Sequence, residues 1–227
     1  TLGSLALSYA RGSNAVLGVL VPDTTHLPYP LTAEDVGHLT ARLGEELARG
    51  DVAAVIAEPV QATAGMRVPA PGWLHAVRKA TEKSGTVLIM DEVFTGYGRT
   101  GRLFGFEWSD EVSRTGIVPD LLVLGKAASG GIPGAILAGR RDILQGWKPG
   151  VQSSTFQMHP VSAAASLAVL EELIGHDYLA RALAAGERMR AAIGAEAAHL
   201  PGFGGISGVG AMIGVAVTDP AGDPDQE

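Results

Sequence analysis

No cysteine occurs in the 227 residues, which excludes a disulfide framework, thiol catalysis and zinc–thiolate sites within them. The six histidines lie far apart and show no ligand spacing, so no metal is expected. Lys and Arg are scattered singly along a chain of net charge −7 and pI about 5.4. Without a basic stripe, neither nucleic acid nor a membrane surface is expected as a partner. No apolar run approaches the roughly 18–20 residues of a membrane span. The opening Thr1-Leu2-Gly3-Ser4 carries neither an initiator Met nor a basic leader, and the expected location is cytoplasmic. The chain opens inside an apolar stretch, Leu2–Tyr9, and stops in a turn-rich run after Asp219, as an internal fragment of a longer protein would.

What is present is an ordinary globular composition, 46% apolar and 18% charged. A chain of this length buries about 70–75% of its unfolded surface, enough for one large domain or one plus a fraction. Short apolar, β-branched runs at Leu17–Pro22, Val52–Pro59, Thr86–Val93, Leu121–Gly125 and Ala135–Ala138 read as buried strands. Between several of them lie amphipathic helical segments, Thr32–Arg49 opening on a Thr-x-x-Asp cap and Pro71–Lys83. Alternation of this kind predicts an α/β fold with a mostly parallel sheet and helices on both faces. From Pro160 to Leu200 the pattern predicts a helix pair broken near Gly175-His176. Residues 202–217 read as a glycine-rich turn feeding a strand. The expected division is a large domain over residues 1–175, and a connecting helix with the start of a small C-terminal domain over 176–227.

In parallel sheets, ligands bind beyond the carboxyl ends of the strands. Three of the expected strands end in ionisable groups: Glu58-Pro59, Asp91-Glu92 and Gly125-Lys126. Three in consecutive units suggest a shared cleft. The loop Phe94-Thr-Gly-Tyr-Gly-Arg-Thr-Gly-Arg102 has three glycines that allow sharp bends and could present backbone donors to an anion. A lysine leaving a buried strand is unusual, because burying an ammonium without a partner is costly. That cost favours the neutral amine needed for an imine to an aldehyde cofactor. An acid at one strand end and a lysine at the next supply what pyridoxal phosphate needs: a partner for its ring nitrogen and a tether for its aldehyde.

The runs Leu88-Ile-Met-Asp91-Glu-Val-Phe-Thr-Gly-Tyr-Gly-Arg-Thr-Gly101 and Pro119-Asp-Leu-Leu-Val-Leu-Gly-Lys126 resemble the signature of class III (ω-type) pyridoxal-phosphate aminotransferases. Glu58-Pro-Val-Gln-Ala-Thr-Ala-Gly65 and Ser154-Thr-Phe-Gln-Met-His-Pro160 add to it. The resemblance implies fold type I of the pyridoxal-phosphate transferases, working as a homodimer. It implies that Lys126 carries the cofactor as an aldimine, that Asp91 pairs with the ring nitrogen and that Val93 packs on a ring face. Thr155 would reach the partner subunit's cofactor phosphate. Glu58, Glu92, Gly96, Arg99 and Gly125 are further motif residues. The implied reaction moves an amino group from an amino acid or ω-amine to a 2-oxo acid or aldehyde.

Departures are visible as well. Phe94 stands where many members have a Gln that bonds the cofactor's phenolic oxygen. Thr63 replaces an acid that ornithine and 4-aminobutyrate aminotransferases carry, which argues against those specificities in their usual form. His159 stands for an Asn and Ser207 for an Arg, with no role readable from sequence. A P-loop would need Gly at 120 and Ser or Thr at 127, where Asp120 and Ala127 stand. The remaining alternatives are an aminomutase, epimerase or decarboxylase of the same fold, or a truncated non-catalytic fragment, which would bind the cofactor weakly.

Overall fold

A computed structural model describes residues 2–8, 23–113, 116–157 and 159–219. The strand expected at Leu17–Pro22 lies outside them. After a short helix α1 (Leu2–Leu7), helix α2 (Ala33–Leu47) starts where the sequence signals it. The Thr32 hydroxyl accepts the Asp35 N–H at 3.1 Å, and the Asp35 carboxylate accepts the Thr32 N–H at 2.8 Å. This reciprocal cap satisfies two of the helix's orphan donors. Leu39, Leu43 and Leu47, spaced four apart, form its buried stripe. Helix α3 (Trp73–Ser84) buries Trp73, Leu74 and Val77 and ends at Gly85, whose φ of 73° is the left-handed cap conformation.

The main sheet runs β1 (Ala54–Ala57), β2 (Val87–Asp91), β3 (Leu121–Leu124), β4 (Ile136–Gly139), in that order. The first three strands are parallel and β4 returns antiparallel to β3. Leu88 and Met90 of β2 are fully buried against α2 and α3. Each such side chain contributes about 1.5–3 kcal/mol relative to exposure. Val87, Ile89 and Asp91, on the other face, are only half-buried.

At the amino end of β3, buried Asp120 accepts the Leu88 N–H at 2.8 Å, Arg78 at 2.8 Å and Arg140 at 3.0 Å. Burial opposes its charge, but the bonds from Leu88, Arg78 and Arg140 together hold its carboxyl below the ordinary range. The network ties α3, β2 and β3 at the end of the sheet away from the ionisable strand ends.

Helix α4 (Gly105–Ser113) lies between β2 and β3, and α5 (Arg141–Gln145) follows β4. The expected helix pair is α6 (Pro160–Gly175) and α7 (Tyr178–Ala197), broken at His176 and Asp177. The run 202–217 differs from its expectation: it is a hairpin of β5 (Phe203–Ser207) and β6 (Gly214–Val217), so the glycine-rich segment is itself a strand. Glycine serves packing there, since a Cβ on Gly204 would stand 2.6 Å from Thr218 Cγ2.

Candidate functional site

Parallel pairing brings the carboxyl ends of β1, β2 and β3 to one edge. Ala57 pairs with Met90 and Asp91 with Val123, so Glu58 continues opposite Asp91, and Lys126 follows β3 by way of Gly125. Glu58 is held by the Ala62 N–H on its Oε2 at 3.0 Å. Burial pushes its carboxyl up, against that bond; the Asp91 charge raises it further and the Lys126 charge lowers it. Glu58 therefore lies within the fields of both Asp91 and Lys126, as a shared cleft requires. The Tyr29 hydroxyl donates to the carbonyls of Glu58 and Pro59 at 3.1 and 3.0 Å, which pins this strand end. Tyr29 lies far upstream of the motif runs, and only its buried hydroxyl identifies the role.

Asp91 accepts the Val93 N–H on Oδ1 at 3.0 Å, leaving Oδ2 as an available acceptor. Val93 reaches toward Lys126's neighbour: a Cβ on Gly125 would stand 3.5 Å from Val93 Cγ1. Lys126 opens a 3-10 turn, Lys126–Ser129, with φ of 48°. A left-handed non-glycine backbone is a strained state that tends to cluster at functional positions. Lys126 is exposed, so the cost of burying an unpartnered ammonium does not arise here. Its Nζ instead lies 4.6 Å from the centroid of the Phe94 ring.

Glu92 faces the other way. It shares the parity of Leu88 and Met90 and is 1% exposed. Its carboxylate accepts the Thr95 hydroxyl and the N–H groups of Gly105 and Phe106, the latter two at 2.8 Å. Burial pushes its carboxyl up while those three bonds work against the rise. Anionic charge at the first residues of α4 also meets the positive end of that helix. Glu92 is thus a cap beneath the site, and strand alternation was the available signal for it.

The glycines of the loop permit close packing. A Cβ on Gly96 would stand 2.8 Å from the Glu92 carbonyl oxygen, and one on Gly101 (φ 84°) 2.2 Å from Leu183 Cγ of α7. The Arg99 carbonyl accepts the Ala211 N–H at 2.8 Å. Its guanidinium carbon lies 5.1 Å from the Phe94 centroid, and its Nε is buried without a hydrogen-bond partner among the described residues.

Thr155 shares none of these contacts. It stands in an exposed turn before α6, next to Phe156, which is 80% exposed. Two residues without a reading from sequence acquire one. His159 caps α6, its Nδ1 accepting the Ser162 N–H at 3.4 Å, a task Asn performs at helix starts. Ser207 donates to the Gly65 carbonyl at 2.6 Å, fastening the hairpin to the turn after β1. No helix among the described residues is long and apolar enough to cross a membrane.

Comparison with known proteins shows the family. Residues 1–224 match the family model described as Aminotransferase class-III. A diaminobutyrate–2-oxoglutarate aminotransferase of Rhizobium meliloti (strain 1021) is 40% identical, over 98% of this chain and 49% of its own length. An acetylornithine aminotransferase of Streptomyces coelicolor is 37% identical, over 97% of this chain and 51% of its own. A thermostable (S)-enantioselective omega-transaminase from Thermomicrobium roseum superposes with a TM-score of 0.81 at 27% identity, covering all of this chain and 53% of its own. The chain spans about half the length of the curated relatives it matches.

Proposed function

Because the chain belongs to the class-III aminotransferase family, whose members use pyridoxal phosphate on the type I fold, we propose that the protein containing it is an aminotransferase with Lys126 as the cofactor's tether. The donor is an amino acid or ω-amine and the acceptor a 2-oxo acid or aldehyde. One relative is named for 2-oxoglutarate, which supports a 2-oxo acid. The observation that carries the reading is the convergence of Glu58, Asp91 and Lys126 at adjacent strand ends.

These residues fit the cofactor: an amine and a carboxylate with a free oxygen stand at neighbouring strand ends, on the side where such sheets bind ligands. When bound, pyridoxal phosphate supplies the electron sink for charge left on the substrate carbon as its proton departs. Asp91 Oδ2 would hold the proton on the ring nitrogen, fixed in aim by the Val93 N–H on its other oxygen. Val93 would pack beside the ring. Lys126 Nζ would remove the proton at the substrate carbon and return it one position away. Glu92, in this reading, touches no reactant.

Thr155 would reach the phosphate held by a second copy in a homodimer, and the exposed Phe156, Val151 and Trp147 around it support a covered surface there. Residues 1–175 would belong to the cofactor-binding domain and 176–227 to the small domain, in a cytoplasmic protein.

The test uses the full-length protein. Amino transfer from L-alanine or L-glutamate to an aldehyde should yield pyruvate or 2-oxoglutarate, and borohydride reduction should leave the cofactor on the peptide bearing Lys126. Absence of both oxo acids would refute the aminotransferase reading and leave an aminomutase, epimerase or decarboxylase; capture at a different lysine would refute the tether.

A further inference from the structure

We propose that Phe94 is the positioning residue for Lys126: its ring holds the lysine ammonium at the strand end and so sets how readily that amine reacts. The proposal rests on the reading of Lys126 as the reactive amine, and it concerns a position where this chain departs from the pattern it resembles.

The geometry is direct. Lys126 Nζ lies 4.6 Å from the Phe94 centroid, inside the roughly 6 Å within which a ring face attracts a cation. Among the described residues no carboxylate oxygen comes within ion-pair distance of Nζ, so the ring is its close partner. Glu58 acts on Lys126 from farther off. Glu58 in turn interacts with Asp91, and the Arg99 guanidinium lies against the same ring at 5.1 Å.

Phe94 packs on the buried cluster of Val60, Ala62, Val209 and Met212, which holds the ring in place. Lys126 is constrained from its own side by its left-handed backbone and the 3-10 turn that follows. Two fixed anchors leave the flexible four-carbon stem to settle its charge on the ring face.

A π face attracts an ammonium and gains little from a neutral amine, so an amine that reacts, and gives up its charge, also gives up this contact. A glutamine side chain at this position would offer no such face. Phe94 would therefore hold back the amine until a reaction partner draws it off the ring, and its removal should make Lys126 more reactive. Loss of packing alone would show in the melting temperature, which is read separately.

The experiment needs no cofactor. The full-length protein, stripped of cofactor, is labelled with limiting acetic anhydride at a fixed pH. Acetylation of Lys126 is then read by peptide mass against exposed Lys79 of α3. Phe94→Leu should raise the relative rate two- to fivefold, the range of a partly exposed cation–π contact. Phe94→Tyr, which keeps the ring, should restore the original rate, and Phe94→Trp, with the strongest face, should lower it. Thermal melting of each variant checks the packing. Should Phe94→Leu fail to fold, Phe94→Trp decides alone. An unchanged or slower rate in folded Phe94→Leu, or an unchanged or faster one in Phe94→Trp, overturns the proposal. Acetylation does not depend on capture of pyridoxal phosphate, so failure of the proposed function is read separately, by the borohydride experiment.

Discussion

Asp91 and Glu92 are neighbours in the chain and occupy opposite worlds. Asp91 stands at an open strand end with one oxygen available and with Glu58 and Lys126 around it. Glu92 is sealed below, each oxygen occupied by donors from Thr95, Gly105 and Phe106. The first arrangement leaves bonding capacity for a ligand; the second spends it on the fold. One residue of strand alternation separates a site for chemistry from a structural cap. Substitutions on the open side should change chemistry at little cost in stability, and those on the closed side should do the reverse.

The largest expected effect is on the open side. Asp91→Asn in the full-length protein should lower turnover by at least about 10²-fold, the scale of a lost proton-holding group. Its melting temperature should stay close to that of the parent. A large loss of stability with turnover per folded molecule preserved would erase the contrast. Glu92→Ala, on the closed side, leaves three donors without their acceptor and should destabilise by about 4 kcal/mol, since each stranded buried group costs about 1–3 kcal/mol. Glu92→Gln should cost less, because one oxygen remains to accept. Denaturant titration of both variants tests the order, and equal stabilities would mean that the carboxylate is not the cap.

Asp120→Asn gives the third effect, about 3 kcal/mol, by removing charge from a buried pair with Arg78. Its pH dependence has a definite sign. The Asp120 carboxyl is held low in the folded chain, so its contribution is present above the unfolded value of about 3.9 and fades as pH falls through the folded one. The variant should show a shallower loss of stability in acid. The smallest effect belongs to Glu58→Gln. Glu58 is held high, so its ionisation costs stability at pH above the raised value, and the cost vanishes in acid. The variant should melt slightly higher than the parent at pH 8 and equally at pH 4.

Much of the frame was legible because it follows from local rules. The Thr32 and Asp35 cap, the apolar strand runs within residues 52–59, 86–93, 121–125 and 135–138 and the break at Gly175-His176 appear where periodicity and capping place them. The shared edge of Glu58, Asp91 and Lys126 was legible too, because parallel strands that end in ionisable groups end on the same side. Contacts between distant segments were not. Glu92 caps a helix that begins thirteen residues later, and Ser207 bonds Gly65 across 142 positions. The glycine loop was open to reading as an anion nest, whereas its glycines admit Leu183 and the Glu92 carbonyl. Whether Lys126 is buried or exposed could not be read from spacing, and it is exposed, following the end of its strand on a left-handed backbone step.

The approach of α7 to the hairpin has a consequence of another kind. A Cβ on Gly186 would lie 1.8 Å from the Gly210 carbonyl oxygen, and one on Gly210 would lie 2.5 Å from the Arg99 carbonyl oxygen. Helix, hairpin and loop therefore meet main chain to main chain, like gear teeth with no cushion between them. The Ala211 N–H on Arg99 and the Arg190 guanidinium on Gly210 lock the mesh. A side chain added at either glycine would push these main chains apart, and the Arg99 that the hairpin holds is the residue stacked on the Phe94 ring.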